Sequence, residues 1–151
     1  MAVVAPLVPS GEGSRNGDAP RPLLLIAERD RGVRDLMRFF VERAGYAVEF
    51  ADDGLAALER ALAAPPSVVV TEILMPKLDG LTLCRRLRDD PRTSHVPVVV
   101  FSVLAAGTRA AEAGAHAFLR KPLIEAVFLG RIRDAIATLR TPSMEQTWAS
   151  R

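Results

Sequence analysis

The 151-residue sequence predicts an α/β fold, a doubly wound sheet of five parallel strands with helices on both faces. Two observations predict it. Short apolar runs alternate with helical patterns five times along the chain. Those runs are apolar nearly throughout, as expected of strands buried on both faces. Strands separated by helices form a parallel sheet with crossover connections, and right-handed crossovers leave few topologies. A flavodoxin-like strand order of 2-1-3-4-5 is the one expected, with ligand chemistry at the carboxyl ends of the strands; a small nucleotide-binding domain fits the same pattern.

The elements follow in order. Leu23 to Ala27 reads as the first strand. Val33, Leu36, Met37, Phe40, Val41 and Ala44 then form one helical stripe, which Gly45 stops. Tyr46 to Phe50 is the second strand. Asp52-Asp53-Gly54 caps a helix carrying Leu55, Leu58 and Leu62, which Pro65-Pro66 ends. Val68 to Thr71 is the third strand, and a helix from about Leu81 to Arg88 follows. Val96 to Ser102 is the fourth strand. A short alanine-rich helix ends near Gly114, and Ala115 to Arg120 makes the fifth strand. Pro122 is placed at the first position of a last helix that reaches Arg140 and turns Phe128, Ile132, Ala135 and Leu139 inward.

Residues 1–21 are rich in Pro, Gly, Ser and Ala without periodicity, so a disordered tail is expected there. The folded domain is placed at 22–140 and a second tail at 141–151, where Trp148 could dock against it. The apolar runs fall far short of the roughly 20 residues that span a bilayer, and the amino-terminal stretch makes a poor secretory signal. One cysteine, Cys84, allows no internal disulfide and suits a reducing cytoplasm. The net charge is +2 and the arginines are spread along several segments, so neither nucleic acid nor membrane is expected as a partner.

The stretch Glu72-Ile-Leu-Met-Pro-Lys-Leu-Asp-Gly80 resembles the segment after the third strand of response-regulator receiver domains, the CheY-like superfamily. Ser102 at the end of strand four, Ala113-Gly114-Ala115 before strand five and Lys121-Pro122 after it fall in the family's order. The resemblance runs from about Pro22 to Arg140. It implies a cis bond before Pro122 and a pocket for phosphoryl transfer to an aspartate. In that pocket two acidic residues and the acceptor hold Mg²⁺, while a hydroxyl and a lysine bind the phosphoryl oxygens.

Carried over by position, the resemblance places Glu28 at the first acidic position and Arg29 at the second, with Asp30 one residue later. Glu72 stands at the phosphoacceptor, Ser102 and Lys121 at the phosphate contacts, and Phe118 at the switch aromatic. Arg29 and Glu72 depart from the pattern. A guanidinium cannot ligate a cation, and Glu72 moves the carboxylate outward by about one C–C bond, roughly 1.5 Å. The expectation is a degenerate pocket in which Arg29 and Glu72 form a bidentate pair, Lys121 adds a second cation, and Mg²⁺ binding is lost. Arg29 turned to solvent, with Asp30 as a substitute ligand, is the alternative; Asp30 as a helix cap is the more ordinary one. Glu72 is read as drift in a dead pocket, as a mimic of the phosphorylated state, or as part of a pocket that still binds an ion.

The plainer readings stand beside these. Ser102 can be a strand-end hydroxyl, Phe118 a core-edge aromatic and Cys84 a packed thiol. His95 and His116 have no spaced partners and receive no role. Arg31, Arg34 and Arg38 make a basic stripe read as a solvated face. Ser102 to Lys121 spans 19 residues, about one helical turn short of the family, which puts a dimer through the fourth helix in doubt. The oligomeric state stays open.

The function expected is a stand-alone receiver in two-component signalling that acts independently of phosphorylation, by binding protein partners such as a histidine kinase or a downstream signalling protein. It is not expected to be an enzyme. A working phosphoacceptor with noncanonical Mg²⁺ ligands is the alternative. A phosphatase on the same fold comes third, for want of an Asp-x-Asp pair.

Overall fold

The computed structural model describes residues 20–140, the side chain of Arg140 excepted. The elements run β1 (Leu23–Ala27), α1 (Arg31–Arg43), β2 (Ala47–Ala51), α2 (Gly54–Ala63), β3 (Val68–Thr71), α3 (Gly80–Asp89), β4 (Val98–Ser102), α4 (Gly107–Glu112), β5 (Ala117–Arg120) and α5 (Glu125–Arg140). The five strands form one parallel sheet in the order β2-β1-β3-β4-β5, as the sequence predicts.

Successive strand residues point to opposite faces, so the continuous apolar runs feed two cores. Leu25, Ala27, Val69, Val98 and Val100 face one core, with Ala57, Leu58 and Ala61 of α2, Leu83, Cys84 and Leu87 of α3, and Ala110 of α4. Leu24, Ile26, Val68, Val70, Val99 and Phe101 face the other, with Met37 and Val41 of α1 and Phe128, Ile132, Ala135 and Ile136 of α5. Fully burying one of the Val, Leu, Ile, Phe or Met side chains is worth about 1.5–3 kcal/mol, and most of these are at or near full burial. Two helical stripes are narrower than their periodicity suggests. Leu36 and Leu55 lie at their edges and are 42% and 38% exposed.

Local chemistry sets the helix ends. Asp30 caps α1 by accepting from the Val33 amide at 2.9 Å. Gly45 ends α1 at φ +97°, with its amide on Glu42 O and the Tyr46 amide on Val41 O, the paired bonds of a Schellman stop. Asp53 caps α2 and Asp79 caps α3 in the same way. Asp79 takes both the Leu81 and Thr82 amides and the Thr82 hydroxyl. Burial works to raise its carboxyl, but these bonds and Arg85 hold it below the usual range.

Some expected boundaries move. Helix α5 starts at Glu125, with the Phe128 amide on Ile124 O in its first turn, so Pro122 lies outside the helix rather than at its first position. Leu139 is only half-buried, and Ile136 takes the inward place beside Ala135. The Lys121-Pro122 bond is cis, as the resemblance implies. Helix α4, between Ser102 and Lys121, has six residues. Residues 1–19 and 141–151, with Trp148, lie outside the described residues.

Candidate functional site

Four of the predicted residues meet at the carboxyl edge of the sheet. Glu28 follows β1, Glu72 follows β3, Ser102 ends β4 and Lys121 follows β5. The Glu72 amide still bonds Ala27 O at 3.0 Å, and the Lys121 amide bonds Ser102 O at 2.8 Å. The sheet's register therefore continues through the residues that carry the chemistry.

The loop after β3 aims Glu72. The Gly80 amide bonds Ile73 O at 2.9 Å and closes the loop. A Cβ on Gly80 would stand 2.2 Å from the carbonyl oxygen of Glu72, so only glycine permits that approach. Lys77 takes the left-handed conformation at φ 69° in the same loop.

The Glu72 carboxylate is buried and gripped at both oxygens. Oε2 accepts from the Ile73 amide at 2.7 Å, from the Leu74 amide at 3.2 Å and from the Ser102 hydroxyl. Oε1 lies 3.1 Å from Lys121 Nζ. Burial works to raise the Glu72 carboxyl. The bonds from Ser102, the Leu74 amide, Lys121 and the Ile73 amide outweigh it and hold the group below the ordinary carboxylate range.

Lys121 serves two acids. Its ammonium lies 3.0 Å from Glu28 Oε1 as well as 3.1 Å from Glu72 Oε1, and 5.4 Å from the centre of the Phe101 ring. Burial disfavours the charged amine, but Glu28 and Glu72 together raise its pKa above the ordinary lysine value. Glu28 Oε2 also accepts the Asp30 amide at 3.0 Å. One cation thus sits between two nearly buried carboxylates.

The expected Arg29–Glu72 pair is not formed. Arg29 is exposed and makes no ion pair among the described residues, although it lines the same open cleft of about 360 Å³ with Glu28, Asp30, Glu72, Leu74 and Lys121. The reason is competition: two amides, a hydroxyl and an ammonium already occupy the Glu72 oxygens. Asp30 is at the rim, its carboxylate engaged in capping α1.

Phe118 stands apart from the acid cluster. It is half-buried in β5, packs into the core beneath α4, and lies across from Val100 in the sheet. His95 and His116 are exposed, and among the described residues no group of three or more His, Cys, Asp or Glu side chains converges on one point. The Cys84 thiol is buried, which pushes its pKa up to about 11 despite nearby Arg88 and Arg85, so it is a packed and unreactive group.

Sequence reasoning missed Arg34. Instead of belonging to a solvated stripe, it donates to Glu28 O, to Ala51 O at 3.0 Å and to Asp52 at 2.7 Å. Its guanidinium and that of Arg38 both lie over the Phe50 ring, at 5.3 and 5.1 Å. Arg34 fixes the main chain on which Glu28 is mounted. Its three- and four-residue spacing from Arg31 and Arg38 gave no signal of this. The backbone amides of Ile73 and Leu74, equally part of the grip on Glu72, leave no mark in a sequence at all.

The comparisons with known proteins agree with this architecture. The family model for the response regulator receiver domain matches residues 24–133. The transcriptional regulatory protein CseB of Streptomyces coelicolor is 38% identical over 116 residues, covering 75% of this chain and 48% of that protein. The DNA-binding dual master transcriptional regulator RpaA of Synechocystis is 34% identical over 115 residues, covering 74% of this chain and 48% of that protein. The chain spans about half the length of these curated relatives. The structure of the Francisella response regulator 1452 receiver domain superposes with a TM-score of 0.72 at 25% identity, covering 78% of this chain and 98% of that one. With its 2-1-3-4-5 sheet and its acids, hydroxyl and lysine at the sheet's carboxyl edge, the chain belongs to the response regulator receiver domain family.

Proposed function

We propose that this receiver is an atypical one, which signals in a two-component system by binding protein partners without being phosphorylated. A single observation carries the reading. Ser102 and Lys121, which the resemblance sets at the family's phosphate contacts, both hold the carboxylate of Glu72. The longer arm of glutamate spends those contacts on the side chain itself. Glu72 then stands in for a phosphorylated aspartate and keeps the domain in one signalling state.

The residues suit Mg²⁺ poorly. That ion demands oxygen ligands in near-octahedral geometry at about 2.0–2.1 Å. The cleft offers it two carboxylates already shared by one ammonium, with a guanidinium at the second acidic position. Asp30 as a substitute ligand would have to leave its cap on α1. No helix among the described residues is long and apolar enough to cross a membrane. A cytoplasmic location for this chain, with a histidine kinase or a downstream signalling protein as the partner class, is what this reading implies.

The test is exposure of the chain to acetyl phosphate and Mg²⁺, followed at once by intact-mass measurement. No added phosphate is expected. A gain of one phosphate that Glu72→Gln abolishes would falsify the reading.

A further inference from the structure

Pro22, Tyr46, Arg133, Asp134, Ile136 and Ala137 line an open groove of about 410 Å³ at the opposite end of the sheet from Glu72. Pro22 and Tyr46 directly precede β1 and β2, and the Ala47 amide on Pro22 O ties them together. The other four residues lie on α5, so the groove runs alongside that helix toward its end. Pro22, Tyr46, Ile136 and Ala137 make an apolar floor, with Arg133 and Asp134 as a charged rim.

We propose that Trp148, from the segment that follows α5, docks in this groove and folds that segment back over the base of the sheet. The proposal is independent of how the acid cluster is read. Three observations favour this occupant. First, Pro142 in the sequence disfavours continuation of a helix through Thr141, which favours a segment that leaves the axis of α5. Second, the reach is ample. Trp148 is eight residues beyond Arg140, up to about 26 Å of extended chain. Ala137 and Arg133 lie only about 5 and 10 Å back along the helix at roughly 1.5 Å per residue.

Third, the chemistry of the groove fits an indole. Such a ring buries about 150–250 Å² and needs an apolar bed with an acceptor for its N–H. The floor supplies the bed, Asp134 offers a carboxylate at the rim, and the Arg133 guanidinium can lie against the ring face. The amino-terminal segment, which joins the domain beside Pro22, is the competing occupant.

Tyr46 and Trp148 are the chain's one tyrosine and one tryptophan, so fluorescence of the whole chain reads this contact directly. Trp148 is expected to emit at shorter wavelength than in urea, to resist iodide quenching several-fold, and to be sensitised by excitation of Tyr46. Ala137→Arg, which fills the groove from an exposed position, should abolish all three effects. Trp148→Ser should restore Tyr46 emission. Removing residues 1–19 should change nothing. A solvent-exposed Trp148, a shielded Trp148 without Tyr46 sensitisation, or loss of shielding on removing residues 1–19 would each overturn the proposal.

Discussion

Ser102 at the end of β4 donates its hydroxyl to Oε2 of Glu72, which follows the adjacent strand β3. Both side chains are buried, so this bond joins two strands at the floor of the cleft rather than at its rim. Ser102 Oγ also accepts the Leu104 amide at 3.2 Å, and that fixes the start of the loop after β4. The hydroxyl therefore couples the carboxylate at position 72 to the loop that leads into α4.

Removing that hydroxyl should be costly. Ser102→Ala leaves a buried carboxylate oxygen short of a donor, for an expected loss of about 1–3 kcal/mol. Urea denaturation reads it as a lower midpoint at unchanged slope. Ser102→Thr keeps the donor and should retain most of the stability. An alanine variant as stable as the parent would show that the bond contributes nothing.

The acid cluster also sets a pH window. Glu72 titrates below its unfolded value of 4.5 because its bonds outweigh burial, so its contribution is present above pH 4.5 and is lost as pH falls through the lower folded value. Lys121 is raised above 10.5 because Glu28 and Glu72 outweigh burial. Its contribution is present below pH 10.5 and is lost as pH rises through the higher folded value. Melting temperature against pH should thus fall at both ends. Lys121→Met should remove this contribution to the alkaline limb and, by leaving two buried carboxylates without a cation, destabilise the neutral protein by about 3–5 kcal/mol. An alkaline limb identical in Lys121→Met would assign it to other groups.

Arg29 should behave as a surface residue. It is exposed and unpaired among the described residues, so Arg29→Ala is expected to change stability by no more than about 0.5 kcal/mol. In a double-mutant cycle with Glu72→Ala the two effects should add within about 0.3–0.5 kcal/mol. If Arg29 and the longer Glu72 are what weaken Mg²⁺ binding, Arg29→Asp with Glu72→Asp should gain a melting temperature that rises with Mg²⁺. A large coupling energy in the cycle would instead indicate the pair that the sequence suggests.

The fold was legible because its signal is periodic and redundant. Strands such as Val68–Thr71, buried along their whole length, need side chains that are apolar nearly throughout, and the chain supplies three valines before Thr71. Glu28, Glu72, Ser102 and Lys121 were legible through the family resemblance, which sets each at a strand end, and parallel strands bring such ends to one edge. The direction of a long side chain was not. Arg29 and Glu72 are on adjacent strand ends, yet local amides and Ser102 claim Glu72 first. Arg34 was illegible because two of its acceptors are backbone carbonyls, six and 17 residues away, whose placement exists only after the chain has folded.

The absent Cβ of Gly80 has a consequence for how such a domain can change over evolutionary time. The loop after β3 is pinned by a glycine against the main-chain oxygen of residue 72, and by a cap on α3, neither of which involves the carboxylate at that position. The Ile73 and Leu74 amides of the loop also bind that carboxylate, but these two ties do not depend on it. A lineage could exchange the acid at position 72 for another of different length and still inherit the same loop, so the surface shown to other proteins can outlast the chemistry it once surrounded.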